Sequence, residues 1–236
     1  MTTNFDVGSE LQIFSKAVNW KTYIRRIIRP YIGFSVLEVS AGIGGTTQVL
    51  YTSQCQSWLC LEPDFKMVQE LQANLIEANF EKCQVKGGTL RELLPENQFD
   101  TILYIDVLEH IKADRDELKL AMTRLQQGGR IIVLSPAYQW LFTPFDEAIG
   151  HYRRYTKRTL SALTPSGLTL QRIIYIDCVG LLASLANQLF LKSKMPTVSQ
   201  IKLWDRIMVP FSKQVDPFIG YSLGKSVLGV WQKKEG

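Results

Sequence analysis

Two groups of residues in this 236-residue chain have the types and spacing for chemistry. The first is the run Glu38-Val39-Ser40-Ala41-Gly42-Ile43-Gly44-Gly45, with Glu62 twenty residues beyond Gly42. Glycines after an apolar run let the backbone turn sharply and let a ligand reach main-chain N–H groups that a Cβ would shield. A carboxylate at the spacing of Glu62 can accept hydrogen bonds from both hydroxyls of a ribose, so the pair predicts a nucleoside-containing ligand. Glu38 narrows that ligand. A carboxylate inside a buried strand is costly unless it meets a cation or donors, which suits a ligand with an amino group and no pyrophosphate. A dinucleotide site would want a third glycine where Thr47 stands. The other reading of Glu38 is a strand-end acid that caps nearby amides.

The second group is Asp106, Glu109 and His110, together with Asp146, His151, Tyr152, Arg153 and Arg154. A histidine can accept a hydroxyl proton near neutral pH, and a carboxylate can orient its ring, so His151 with Asp146, or His110, is a candidate base. Glu109, Tyr152, Arg153 and Arg154 are candidate substrate contacts, since guanidinium forks match phosphate or carboxylate. Against this stand two structural roles. His110 would shape the pocket or hold the loop, which is what the family resemblance given below implies, and Arg153 or Arg154 would pair with Asp146 or Glu147 and staple the segment down.

The elements that must position these residues alternate between short β-branched runs and longer helical ones. Ser35–Val39, Trp58–Leu61, Cys83–Lys86, Thr101–Ile105, Arg130–Leu134, Leu168–Ile176 and Ser226–Trp231 read as strands. Between them, 44–51, 65–78 (N-capped by Asp64) and 114–126 have helical period, and Gly128-Gly129 is expected to end the last. The pattern predicts an α/β fold, a doubly wound, mostly parallel seven-stranded sheet. An aromatic- and charge-rich insertion follows strand 5, and a helical elaboration lies between strands 6 and 7. One domain is expected over 1–236: an N-terminal helical cap (1–34), a cofactor-binding core (35–135), a substrate insertion (136–167), and C-terminal strands with a helical lid (168–236).

Composition sets the outer bounds. Hydrophobic residues make up 46% and charged residues 21%, which excludes a disordered chain. No run reaches the roughly 18 apolar residues of a membrane span, no secretory leader is visible at the start, and four scattered cysteines suggest reduced thiols in the cytoplasm. Two histidines exclude a His-rich metal site; a mixed carboxylate site is merely undetected, and no metal is expected. Charge is lopsided: 14 basic and 18 acidic residues precede position 151, whereas 13 basic and four acidic residues follow. The C-terminal part should therefore face something anionic, or merely be a solvated basic face. Leu181, Leu182, Leu185 and Leu189 share a helical face beside Lys192, Lys194, Lys202, Arg206 and Lys213, which suggests core, lid, dimer contact or an anionic membrane surface.

VLEVSAGIGG, CLEPD, FDTILYIDVLEHI and LQQGGRIIVLSPA resemble, in order and spacing, the cofactor-binding segments of the Rossmann-like S-adenosylmethionine-dependent methyltransferases. The resemblance spans roughly residues 15–177. It implies S-adenosyl-L-methionine as cofactor and S-adenosyl-L-homocysteine as product, with Glu38, Ser40, Gly42 and Gly44 lining the loop and Glu62 on the ribose. Pro63 would flank the adenine, and Asp106 and Val107 would lie beside the methyl group. Asn19 and Trp20 would belong to a helix closing over the cofactor. Ser40 departs from the family's usual first glycine. The acid usual after the third strand is missing too, leaving Thr89, Leu90 or the main chain to read the adenine. A looser likeness of the G-H-x-R-R-Y segment, to methyltransferases of glycan, lipid-linked-sugar and natural-product pathways, implies only a substrate class, a small-molecule or glycan-like acceptor; methylation on oxygen is the leading expectation.

Other classes fit less well. A nucleic-acid methyltransferase would carry N/D-P-P-[YF] after the fourth strand, where Asp106-Val107-Leu108-Glu109 stands. A dehydrogenase conflicts with Glu38 and Thr47. A non-catalytic protein that keeps the cofactor site for regulation stays open, as does the choice between monomer and homodimer.

Overall fold

The computed structural model describes residues 17–186 and 197–234. Seven strands form one sheet: β1 (Ser35–Val39), β2 (Ser57–Glu62), β3 (Cys83–Gly87), β4 (Phe99–Ile105), β5 (Leu125–Pro136), β6 (Leu168–Ile176) and β7 (Ser226–Lys233). Their order is β3-β2-β1-β4-β5-β7-β6. The first five are parallel, and β7 runs antiparallel between β5 and β6. The order reverses between β1 and β4, and that is where a doubly wound sheet opens a crevice at its carboxyl edge.

Alternation along β1 sorts its side chains onto two faces. Leu37 and Val39 enter one core with Ile102, Ile131 and Trp231, while Val36 enters the other with Trp58, Leu71 and Ile28. Glu38 shares the face of Val36. On that face lie α1 (Val18–Ile28) and, after the short α2 (Thr47–Leu50), α3 (Phe65–Glu77). Asp64 caps α3 by accepting from the Lys66 and Met67 amides. Leu71 and Leu75 seat α3 on the sheet, each contributing about 2 kcal/mol by burial.

One expected boundary moves. α4 covers Asp114–Thr123, and Leu125 already pairs with Phe99 in the sheet. Gly128 and Gly129 therefore do not terminate a helix. They lie in a bulge within β5, where the register slips between Phe99/Leu125 and Thr101/Arg130, and Gly128 takes φ +72°.

After β5 the chain forms α5 (Pro144–Ala148) and α6 (Lys157–Ser161). Between β6 and β7 come α7 (Cys178–Ala186), α8 (Val198–Leu203), a π-helical stretch (Trp204–Met208) and α9 (Val209–Phe218). Three buried carboxylates lock this region to the rest. Asp216 accepts from the Tyr23 hydroxyl at 2.6 Å and from the Asp177 and Cys178 amides, which open α7. Asp177 accepts from the Gly180 amide, Ser212 Oγ and Trp204 Nε1. Asp205 accepts from the Asn19 and Trp20 amides, supplying the first turn of α1 with the cap that Ala17 lacks.

Those three are all the carboxylate side chains between residues 148 and 234, and none is more than 5% exposed. The basic surplus of this part is thus unopposed on its described surface. Leu203, Ile207, Phe211, Val215 and Phe218, 38–91% exposed, run along the α8–α9 stretch, with Lys202 and Arg206 exposed beside them. A shallow cleft against α1 is lined by Arg26, Lys213 and Phe218. Of the leucine face expected around 181–189, Leu181 is buried and Leu182 is 63% exposed, while Leu189, Lys192 and Lys194 lie outside the described residues. Among the described residues no helix is long and apolar enough to cross a membrane.

Candidate active site

Four non-glycine residues with positive φ follow the carboxyl ends of strands: Ser40 (+52°) after β1, Asp106 (+55°) after β4, Tyr138 (+64°) after β5 and Asp177 (+68°) after β6. The left-handed region costs an L-residue about 1–2 kcal/mol, and such backbone clusters where a ligand is bound. Ser40, which stands for the family's first glycine, thus adopts the conformation a glycine would, so the loop keeps its turn. Gly42 and Gly44 follow at +59° and +85°. A Cβ on Gly44 would sit 2.7 Å from Leu71 Cδ1, so the loop is pressed against α3 by glycine alone.

Glu62, 4% exposed, ties this loop to the second strand: Oε2 accepts from the Gly42 amide at 2.8 Å, and Oε1 from the Asp64 amide at 3.0 Å. Burial pushes its carboxyl above the usual range, against the pull of those two bonds. Each oxygen keeps a second lone pair, which leaves two acceptors for a vicinal diol. Pro63 and Phe65 are exposed beside it, Phe65 78% so and 3.3 Å from where a Gly87 Cβ would lie. Phe65 escaped the sequence reading because it was counted as a helix position.

Glu38 is 3% exposed, and its Oε2 accepts from Thr47 Oγ1 at 2.8 Å and Trp58 Nε1 at 3.0 Å. The strand acid thus joins α2 to β2 through two side chains rather than capping nearby amides. Burial pushes its carboxyl up to about 7, against those two bonds. Asn19 and Trp20 are held by Asp205, and the Trp20 ring lies 5.4 Å from that of Trp204. Leu90 and Val107 have their side chains in the core, leaving only main chain for a ligand. Thr89 is exposed and caps the Leu90–Glu92 turn, its amide bonded to Glu92.

Past β4 the second group assembles. The Tyr152 amide donates to the Glu109 carbonyl at 2.9 Å, and the Tyr155 hydroxyl reaches Asp114 Oδ2 at 2.8 Å, which presses the segment after β5 onto the β4 loop. His151, its side chain 8% exposed, is thereby brought against His110 (ring centroids 4.5 Å apart) and Glu109. Glu109 is fully buried; Oε2 accepts from Ser135 Oγ at 2.9 Å, while Oε1 has no partner and lies 4.0 Å from His151 Nε2. Burial, and then Asp106, push the Glu109 carboxyl well above the usual range.

Asp146 Oδ1 lies 2.9 Å from His151 Nδ1, and its carboxylate receives Arg154 through Nε and Nη2, each at 2.8 Å. Burial would raise the Asp146 carboxyl, but bonds from His151 and Arg154 hold it far below the usual range. Asp146 thus holds the His151 ring and Arg154 at once. Arg153 pairs with Asp114 at 2.5 Å and also donates to the Lys112 carbonyl, so each arginine is engaged with a carboxylate of its own chain. Tyr152 is 53% exposed. Tyr138, Trp140 and Tyr175 form a stack with centroids 5.3 and 4.8 Å apart. They lie at the far side of the edge, and no spacing in the sequence marks them as neighbours.

No curated protein sequence matches the chain. Residues 37–133 match the methyltransferase domain family. The fold resembles that of the YcgJ protein of Bacillus subtilis (15% identity, TM-score 0.61, 92% of this chain and 99% of that one). It also resembles the N-methyltransferase NodS of Bradyrhizobium japonicum, crystallised with S-adenosyl-L-homocysteine (11%, 0.57, 90% and 84%). A third likeness is to the [4+2]-cyclase SpnF (12%, 0.65, 98% and 96%), which shows that this fold does not dictate one reaction. The chain has the Rossmann-like methyltransferase fold with a seven-stranded mixed sheet, and its residues 37–133 match the methyltransferase domain model.

Proposed function

We propose that this protein is an S-adenosylmethionine-dependent methyltransferase that methylates a hydroxyl of an anionic, lipid-linked or glycan-like acceptor. The observation that carries the cofactor assignment is the bond from Gly42 to buried Glu62 at the reversal of strand order. It holds the ribose acid and the glycine loop as one preassembled unit. Gly44 supports the fit, since its cradle has no room for a Cβ. When bound, the cofactor supplies an electrophilic methyl group on a sulfonium that leaves without acid assistance. The chain's part is then positioning and proton removal. Glu62 holds the ribose and the loop amides face the methionine portion. His151, its Nδ1–H given to Asp146, presents the Nε2 lone pair to the acceptor hydroxyl.

The acceptor class rests on the described surface of residues 148–234, which exposes cations and no carboxylate and carries the apolar stripe from Leu203 to Phe218. That combination suits docking on an anionic bilayer, where a lipid-linked acceptor is met.

Calorimetric titration with S-adenosylhomocysteine and, separately, NAD tests the cofactor. Homocysteine-form binding that is lost in Glu62→Ala, with no response to NAD, is expected; binding of neither would sink the assignment.

A further inference from the structure

We infer that Glu109, His110 and His151 form a binding site for one divalent first-row transition ion. Their ligand atoms lie within 4.8 Å of one another. Glu109 Oε1 is fully buried and has no hydrogen-bond partner, and it faces His151 Nε2 at 4.0 Å. With the Nδ1 proton of His151 given to Asp146, Nε2 carries a lone pair. Oε1 and Nε2 thus face each other across a gap too long for a hydrogen bond. A tetrahedral ion with bonds of about 2.1 Å holds its ligands about 3.4 Å apart, so seating one would close the Glu109–His151 gap by about 0.6 Å and draw His110 in as well.

The outer contacts are those a metal-binding histidine and carboxylate use. Asp146 fixes the tautomer and ring plane of His151, Arg154 steadies Asp146, and Ser135 holds the other Glu109 oxygen. Two imidazoles and one carboxylate suit zinc or ferrous iron and leave coordination positions open. His110 is exposed, so the cluster is reached from solvent. This role rests on the cofactor reading proposed above and revises one step of it: the ion would bind the acceptor hydroxyl, lower its pKa and let its proton pass to solvent, so that Nε2 acts as base only in the ion-free form.

The test uses chelator-treated full-length protein, titrated with Zn²⁺ by calorimetry and with Co²⁺ by visible absorption. One ion per chain is expected, with Co²⁺ bands showing nitrogen ligation. Affinity should fall at least tenfold in His151→Ala and in Glu109→Gln, whose amide can keep the Ser135 bond. His110→Ala, at an exposed position, should weaken binding without touching the fold, and circular dichroism checks all three. No stoichiometric binding by the wild-type protein, or equal binding by folded variants, would overturn the inference. S-adenosylhomocysteine titrated into the same samples separates the two readings. An ion bound without cofactor affinity would refute the methyltransferase reading alone, and cofactor affinity without an ion would refute the metal site alone.

Discussion

Asp146 serves two partners at once: its Oδ1 lies 2.9 Å from His151 Nδ1 while the carboxylate takes Arg154 as a two-bond fork. The side chain is 1% exposed, so removing its charge strands a nearly buried guanidinium. Asp146→Asn should cost about 3 kcal/mol in chemical denaturation at pH 7. The double variant Asp146→Asn/Arg154→Met should lose less than the sum of the two single changes. Because the Asp146 carboxyl is held below its unfolded value, its stabilisation is present above roughly pH 4 and disappears only in strong acid.

Glu38 has the opposite sign. Its carboxyl is raised to about 7 in the folded chain, so between about pH 4.5 and 7 the native state holds a proton that the unfolded state has released. Stability should therefore fall as pH rises through that window, by about 1.4 kcal/mol per pH unit from this group, and level off above it. Glu38→Gln, which still offers an oxygen to Thr47 and Trp58, should remove that slope. Melting temperatures of both proteins from pH 5 to 8 decide the matter.

Gly44→Ala should lower stability by about 2 kcal/mol, since φ +85° and the 2.7 Å approach to Leu71 both exclude a Cβ. It should also weaken S-adenosylhomocysteine binding at least tenfold. Ser40→Gly, at φ +52°, should leave binding intact and shift stability by no more than about 1 kcal/mol. Calorimetry on the pair reads both.

Asp205→Ala should release the first turn of α1, which depends on a carboxylate 185 residues away. A loss of about 1–2 kcal/mol is expected, with faster amide exchange concentrated at Asn19–Thr22. Unchanged exchange there would show that the helix holds without this cap.

The α8–α9 stripe should bind vesicles containing anionic phospholipid and release them in high salt. Phe211→Ser/Phe218→Ser, both at exposed positions, should abolish co-sedimentation without shifting the melting temperature. Equal binding to neutral vesicles would refute the electrostatic part.

Much of this was legible in the sequence because it is local. The strand runs, the Asp64 cap, the glycine loop and the spacing to Glu62 involve residues within about 20 positions, where side-chain period and backbone conformation decide the outcome. Locality also explains the misreading of Gly128-Gly129: a glycine pair after a helical run looks like a stop, but pairing of Leu125 with Phe99 recruits those residues into a strand. Tertiary structure alone decided what each charged group meets. Glu109 is set against His151 and Asp205 caps Asn19 only because distant segments dock. The excess of C-terminal cations was plain in the composition, but burial of Asp177, Asp205 and Asp216 made it a one-signed surface. A carboxylate's partner depends on which strands and helices pack beside it, and the chemical type of the residue does not encode that.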